Sequence, residues 1–266
     1  MTTSKSIRRA LALATLALAA AGATAAGAEV RLEHLTWTEL RDRVAAGTTI
    51  ALVPIGGTEQ SGSHLVLGKH NVRVKALAER IAERLGNAVV APVLAYVPEG
   101  AIEPPTQHMR WPGTLTIPEP VFEAVLESTV RSLQRAGLRD VVFLGDHGGY
   151  RRSLERVAAR LPRVHALPEY YRAATEDFAR QLQARGHTAQ ETGNHGGLAD
   201  TALALAVDPA LVRSDRLQAP RAGDGADGDP RRASAELGRL GLERIVEVSV
   251  AAIRERVAAP ARMPRP

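Results

Sequence analysis

The sequence predicts an α/β protein: a single domain of three layers, α/β/α, around a mostly parallel sheet. Three observations predict it. Short apolar runs alternate with segments of helical period from residue 36 onward. The runs are continuous in Val, Ile, Leu and Ala rather than alternating with polar residues, so both faces of the sheet need a covering layer of helices. Histidines and acids gather in Gly-rich segments directly after those runs, where open α/β sheets bind ligands.

Each element has its own signal. Thr36 to Ala46 reads as an opening helix, with Thr36 or Thr38 as its cap. Ile50 to Ile55, ended by Gly56-Gly57, reads as a buried strand. Val74, Leu77, Ala78, Ile81 and Leu85 recur at helical spacing until Gly86-Asn87 stops them. Ala88 to Leu94 is a second strand. Glu119 to Ala136 is the clearest helix: Phe122, Leu126, Thr129 and Leu133 line one face, Pro118 and Pro120 sit at its start, and Gly137 follows it. Val141 to Leu144 is a third strand. Leu154, Val157 and Leu161 mark another helix, and Val164 to Leu167 a fourth strand. An apolar helix carrying Asp200 follows Gly193-Asn194-His195-Gly196-Gly197. Beyond the polar loop Asp224 to Asp229, an amphipathic helix runs from Ala233 to Val257. Residues 29–266 contain no internal repeat and no composition shift, so they form one unit.

Composition narrows the function. With 45% hydrophobic and 24% charged residues in 266, the chain is no disordered protein and can bury a sizeable core. There is no Cys, which excludes disulfides, thiolate metal sites and cysteine nucleophiles. A metal would be held by His, Asp and Glu. Lys5, Arg8 and Arg9 carry +3 of the formal +5, leaving +2 for the rest of the chain. No basic patch interleaved with aromatics points to nucleic acid. Those three cations precede an apolar run from Ala10 to about Ala21, and Ala26-Gly27-Ala28 fits the small-x-small cleavage rule. Residues 1–28 are therefore expected to be a signal peptide cut after Ala28. The mature chain is then periplasmic or secreted, without a membrane attachment.

The chemistry concentrates in two loops. The first strand runs into Gly56-Gly57-Thr58-Glu59-Gln60-Ser61-Gly62-Ser63-His64, with His70 shortly after. The third runs into Gly145-Asp146-His147-Gly148-Gly149-Tyr150. The two should meet at one edge of the sheet. Five of the eight histidines (His64, His70, His108, His147 and His195) lie in or beside Gly-rich segments, where a backbone can approach a ligand closely. A Ser/His/Asp hydrolase built on Ser61 or Ser63 lacks the Gly-x-Ser-x-Gly elbow that such a nucleophile needs.

With these segments in order, the chain resembles the creatininase family of metal-dependent amidohydrolases. The resemblance runs through Gly57-Thr58-Glu59-Gln60 to His64 and His70, then His108-Met109-Arg110-Trp111-Pro112-Gly113-Thr114 and Gly145-Asp146-His147-Gly148-Gly149-Tyr150. It continues in His195-Gly196-Gly197-Leu198-Ala199-Asp200-Thr201 and Gly228-Asp229-Pro230-Arg231-Arg232-Ala233-Ser234. It implies a creatininase-like fold, hydrolysis of a non-peptide linear or cyclic amide by a metal-activated water, and a homo-oligomer, hexamers being usual in the family.

The departures from the family pattern set the site expectations. The family binds two divalent metals. Carried over by position, one site becomes Glu59, His70 and His147. The other loses its His to Ser61 and its bridging carboxylate to His70, and imidazole does not bridge two ions as a carboxylate does. One metal is therefore expected: zinc first, manganese or iron as alternatives, with Asp146 and Asp200 as further candidate ligands. Glu59 and His195 are the expected catalytic residues, His195 as proton shuttle. His64, His108, Trp111, Tyr150 and Glu191 are candidate substrate contacts, with packing an equal reading for Trp111 and Tyr150. The alternative function is a catalytically degenerate member that binds a ligand or a protein partner.

Overall fold

A computed structural model describes residues 29–219 and 221–260; the expected signal peptide, residues 1–28, lies outside the described residues. Thr36 caps the first helix, α1 (Trp37–Ala45). Its hydroxyl accepts the Glu39 N–H while the Glu39 carboxylate accepts the Thr36 N–H, which satisfies two helix-start donors reciprocally. The strands β1 (Ile50–Ile55), β2 (Ala88–Val90), β3 (Asp140–Gly145) and β4 (Val164–Ala166) form one sheet in the order β2-β1-β3-β4, with every ladder parallel.

Alternate residues of the strands feed two cores. Ile50, Leu52, Val142 and Leu144 face one side and meet Val74, Leu77 and Ile81 of α2 (Lys69–Leu85). Ala51, Val53, Val141 and Phe143 face the other. There they meet Phe122, Leu126 and Val130 of α3 (Glu119–Arg135) and Leu154 and Val157 of α4 (Arg151–Arg160). Both faces are covered, which is why the strands read as unbroken apolar runs.

Four features differ from the sequence reading, each for a local reason. Helix α2 starts at Lys69, ahead of the apolar spacing that begins at Val74, because its first buried residues are the polar Lys69, His70 and Arg73. Strand β2 stops at Val90 because Pro92 has no N–H for the ladder. Leu94 returns to β1, donating to Pro54 O and accepting from Gly56 N at 3.0 Å each. In α3 it is Val130 that is buried; Thr129 turns its hydroxyl back onto Val125 O at 2.8 Å. The helical stretch after β4 carries no strong sequence signal: α5 (Pro168–Arg172), a π-helical turn (Ala173–Asp177) and α6 (Phe178–Gln183) run on from one another. Helices α7 (Ala189–Thr192) and α8 (Leu198–Val207) follow, then α9 (Ala235–Ala258), capped by Ser234, whose hydroxyl accepts the Leu237 N–H at 3.2 Å. Gly238 lets α9 pack directly on α8: a β-carbon there would lie 1.9 Å from Ala202 O.

The order of the strands fixes where a ligand can bind. From β1 the chain crosses through α2 to β2; from β3 it crosses through α4 to β4, on the opposite side. The crevice between the carboxyl ends of β1 and β3 is the switch point of the sheet. At the outer margin the Val90 N–H donates to Val30 O at 2.8 Å, so residues 30 and 31 lie against β2. No helix among the described residues is long and apolar enough to cross a membrane.

The amino end of β3 carries a buried anion. Asp140 accepts from Arg163 at 2.8 Å, His165 at 3.0 Å and Arg139 at 2.9 Å. Burial alone would raise its pKa; the hydrogen bonds, led by Arg163, carry it below the ordinary aspartate value. Stability from a carboxyl depressed in this way is complete at neutral pH and is lost as pH falls below about 4. Asp140→Ala is expected to cost about 2–3 kcal/mol at neutral pH. In urea titrations the gap to the unmodified chain should narrow as pH is lowered.

Candidate active site

Ile55 pairs with Gly145 at the end of the β1–β3 ladder, so residues 56–64 and 146–150 leave the sheet side by side. Tyr150 ties the two loops together. Its fully buried hydroxyl accepts the N–H groups of Asp146 (3.1 Å) and His147 (3.0 Å), and lies 2.7 Å from Ile55 O and 2.8 Å from Gly56 O, one of which takes its proton. Tyr150 is thus a brace beneath the loops and does not reach a substrate.

Glu59 stands at the centre, fully buried, with its two oxygens in different company. Oε1 lies 2.7 Å from His70 Nε2, 3.8 Å from His195 Nδ1 and 3.9 Å from Lys69 Nζ. Oε2 has no hydrogen-bond partner and lies 3.3 Å from His108 Nε2 and 3.4 Å from His147 Nε2. Facing it is Glu99, delivered by the segment that follows β2. It too is fully buried, with neither oxygen hydrogen-bonded and Oε1 3.4 Å from His147 Nδ1. Glu59, Glu99, His108 and His147 each offer one ligand atom, and these atoms lie within 4.8 Å of one another. Gly57 makes room for Glu99: a β-carbon there would sit 2.8 Å from Glu99 Oε1.

The electrostatics separate the two carboxyls. Burial opposes the charge of Glu59, but the hydrogen bond and field of His70, with the field of Lys69, hold it well below the carboxylate range. Burial pushes Glu99 up to about 9, and the charge of Glu59 adds to the shift. Burial also pushes His147 down to about 3 and lowers His108 and His195, so these rings are neutral at neutral pH with a lone pair to give. A buried polar atom without a partner costs about 1–3 kcal/mol. Three such oxygens beside two neutral imidazoles form a donor set that fits zinc, manganese or iron.

Other expected ligands are engaged elsewhere. His70 Nδ1 lies 2.6 Å from Asp146 Oδ2 while Nε2 faces Glu59, so carboxylates occupy both ring nitrogens. Asp146 also accepts from Arg73 Nε (2.9 Å) and the Tyr170 hydroxyl (2.8 Å). Asp200 is held by Lys69 Nζ, by Arg73 at 2.7 Å and by the Gly196 N–H at 3.1 Å. His70, Asp146 and Asp200 therefore form an ion network behind Glu59, outside the four-donor group, because buried Lys69 and Arg73 supply its cations.

A cavity of about 540 Å³ opens over the group, with His70, Arg73, His108, His147, His195 and Asp200 in its wall. His195 is fixed by its Nε2, which donates to Gln60 O at 2.8 Å. The remaining candidates lie off this cavity. His64 is buried against Thr201 Oγ1 at 2.9 Å. Glu191 caps α7 through Thr188 and pairs with Arg232 at 2.9 Å. Trp111 lines a shallow neighbouring groove and donates to Gly223 O at 3.2 Å.

Sequence reasoning missed Glu99, Lys69, Arg73 and Tyr170. The strand-end rule that located Glu59 and His147 applies equally to β2 and leads to Glu99. Lys69 and Arg73 precede Val74 and Leu77 at helical spacing on the face that α2 buries.

The fold and the site define a doubly wound α/β protein with a buried carboxylate–histidine centre at its switch point. The chain belongs to the creatininase family, whose model, described as creatinine amidohydrolase, matches residues 33–253. It is 29% identical over 255 residues to creatinine amidohydrolase of Pseudomonas putida, covering 84% of this chain and 95% of that one. It is 30% identical over 203 residues to a mycofactocin precursor peptide peptidase of Mycolicibacterium smegmatis, covering 72% and 74%. Among solved structures, one described as creatininase Mn superposes with a TM-score of 0.69 at 28% identity, covering 87% of this chain and 100% of that one. A creatininase point mutant of Zn-Zn type gives 0.71 at 27% identity, covering 87% and 99%.

Tyr150→Phe leaves two buried loop amides with poorer partners. It is expected to lower stability by about 2 kcal/mol. Hydrogen exchange should speed up most at the amides of Asp146 and His147 and their neighbours.

Proposed function

We propose that the protein is a metal-dependent hydrolase of amide C–N bonds, acting on a small non-peptide amide, linear or cyclic. It holds one divalent ion, zinc first, with manganese or iron as alternatives. The observation that carries this reading is the convergence of three unpartnered, buried carboxylate oxygens of Glu59 and Glu99 on the rings of His108 and His147. Those four residues would hold the ion, with His70 and Asp146 bracing Glu59 from behind. When bound, the ion supplies Lewis acidity, which polarises a carbonyl and makes water more acidic.

The chain's own groups handle the proton. His195 Nε2 donates to Gln60 O, so in the neutral ring Nδ1 carries the lone pair. Nδ1 accepts a proton from the attacking water and returns it to the leaving nitrogen. The polar cavity wall and its volume suit a small polar amide. Residues 1–28 direct export to the periplasm or beyond. The chains associate as homo-oligomers, hexamers being the state implied by the family; exposed Ile102, Leu115 and Val121 support association.

Elemental analysis of protein purified without added metal is expected to give about one zinc, manganese or iron per chain. Glu99→Gln should weaken binding by ~100-fold or more and abolish hydrolysis across a panel of linear amides and lactams. Bound metal without turnover on any member would favour the ligand-binding alternative. Full metal content in both Glu99→Gln and His147→Ala would overturn the centre. Intact mass of the exported protein should begin at Glu29; a chain retaining residues 1–28 would refute cleavage there.

A further inference from the structure

Lys69 is only 1% exposed, and both of its nearby acidic neighbours belong to the site. Its Nζ contacts Asp200 Oδ2 and lies 3.9 Å from Glu59 Oε1. Glu59 is thereby divided: Oε2 faces Glu99, His108 and His147, whereas Oε1 takes a hydrogen bond from His70 at 2.7 Å and faces Lys69 on its other side. Around the ammonium stand Glu59 Oε1 and Asp200 Oδ2, with His195 Nδ1 3.8 Å from that same Glu59 oxygen. Two carboxylates and an imidazole nitrogen are the donors a divalent ion takes when no ammonium is among them.

We propose that Lys69 is a built-in cation filling a second cation position, and that it limits this centre to a single divalent ion. The inference rests on the reading of Glu59, Glu99, His108 and His147 as a metal centre. An ion in that group and the Lys69 ammonium share one carboxylate, each on its own oxygen. A second divalent ion on the Oε1 side would have to displace an ammonium that is already paired with Asp200. Arg73 holds the other oxygen of Asp200 at 2.7 Å, so the carboxylate is kept in place for whichever cation sits beside it.

Stoichiometry tests this directly. Full-length mature protein is saturated with zinc or manganese, freed of excess and read by elemental analysis. The manganese forms are also read by electron paramagnetic resonance, where a spin-coupled pair differs from an isolated ion. The unmodified chain and Lys69→Arg are expected to bind one ion. Lys69→Ala, which removes the ammonium, is expected to bind two and to show the coupled signal. Lys69→Ala/Asp200→Ala should return to one. A single ion in Lys69→Ala, or two in the unmodified chain, overturns the role of Lys69. No ion in the unmodified chain overturns the metal centre itself, so the two failures are distinguishable. If Lys69→Ala folds poorly alone, it and Lys69→Ser should fold when zinc or manganese is present, because the ion replaces the lost charge. Failure of both to fold with metal present also overturns the proposal.

Discussion

The register of β1 against β3 decides nearly everything chemical in this molecule. Ile55 and Gly145 end opposite each other in a parallel ladder, and the crossovers leave those strands in opposite directions. Two loops are thereby forced to diverge around one crevice, the one carrying Glu59 and the other Asp146 and His147. The Tyr150 hydroxyl closes the base of that crevice through four backbone groups. A shift of β3 by one residue would separate the loops and also exchange the two apolar faces of the strand.

Charge is the second constraint. Behind Glu59, the carboxylates of Asp146 and Asp200 are held by Lys69, Arg73 and His70, all nearly buried. Every oxygen of those two carboxylates has a partner within the chain. In front of Glu59 the pairing fails: Glu99 has no cationic side chain at hydrogen-bond distance, and neither of its oxygens is hydrogen-bonded. One carboxylate therefore joins a self-sufficient half to a half whose donors are left unmatched.

Much of the fold was legible because its signals are local. β1 and β3 are apolar runs bounded by Gly and loops, and Gly86 ends α2 in the left-handed conformation its position requires. What escaped was non-local. Glu99 lies alone in the irregular segment after β2, and its place beside His147 depends on the space that Gly57 leaves. The start of α2 is hidden in the sequence because its first buried residues are polar or ionic, and apolar spacing begins only at Val74. The candidate ligands follow from position in the family pattern, and position in sequence cannot reveal that Arg73 and Lys69 already occupy Asp146 and Asp200. The centre and its direction in the sheet were readable; the division of labour among its acids was not.

The treatment of the sheet's margins bears on how such a protein stays dispersed in a crowded compartment. An open sheet ordinarily presents rows of amides that another chain can continue. Here the β2 margin is met by residues 30 and 31, and Pro92 removes a donor where the strand would extend. The β4 margin is only three residues long and gives way to a helix at Pro168. Templated growth by strand addition has little to grip at either end. Contact between copies of such a fold is thereby left to helix and loop side chains, where geometry can close an assembly, rather than to strand addition, which builds open-ended fibres.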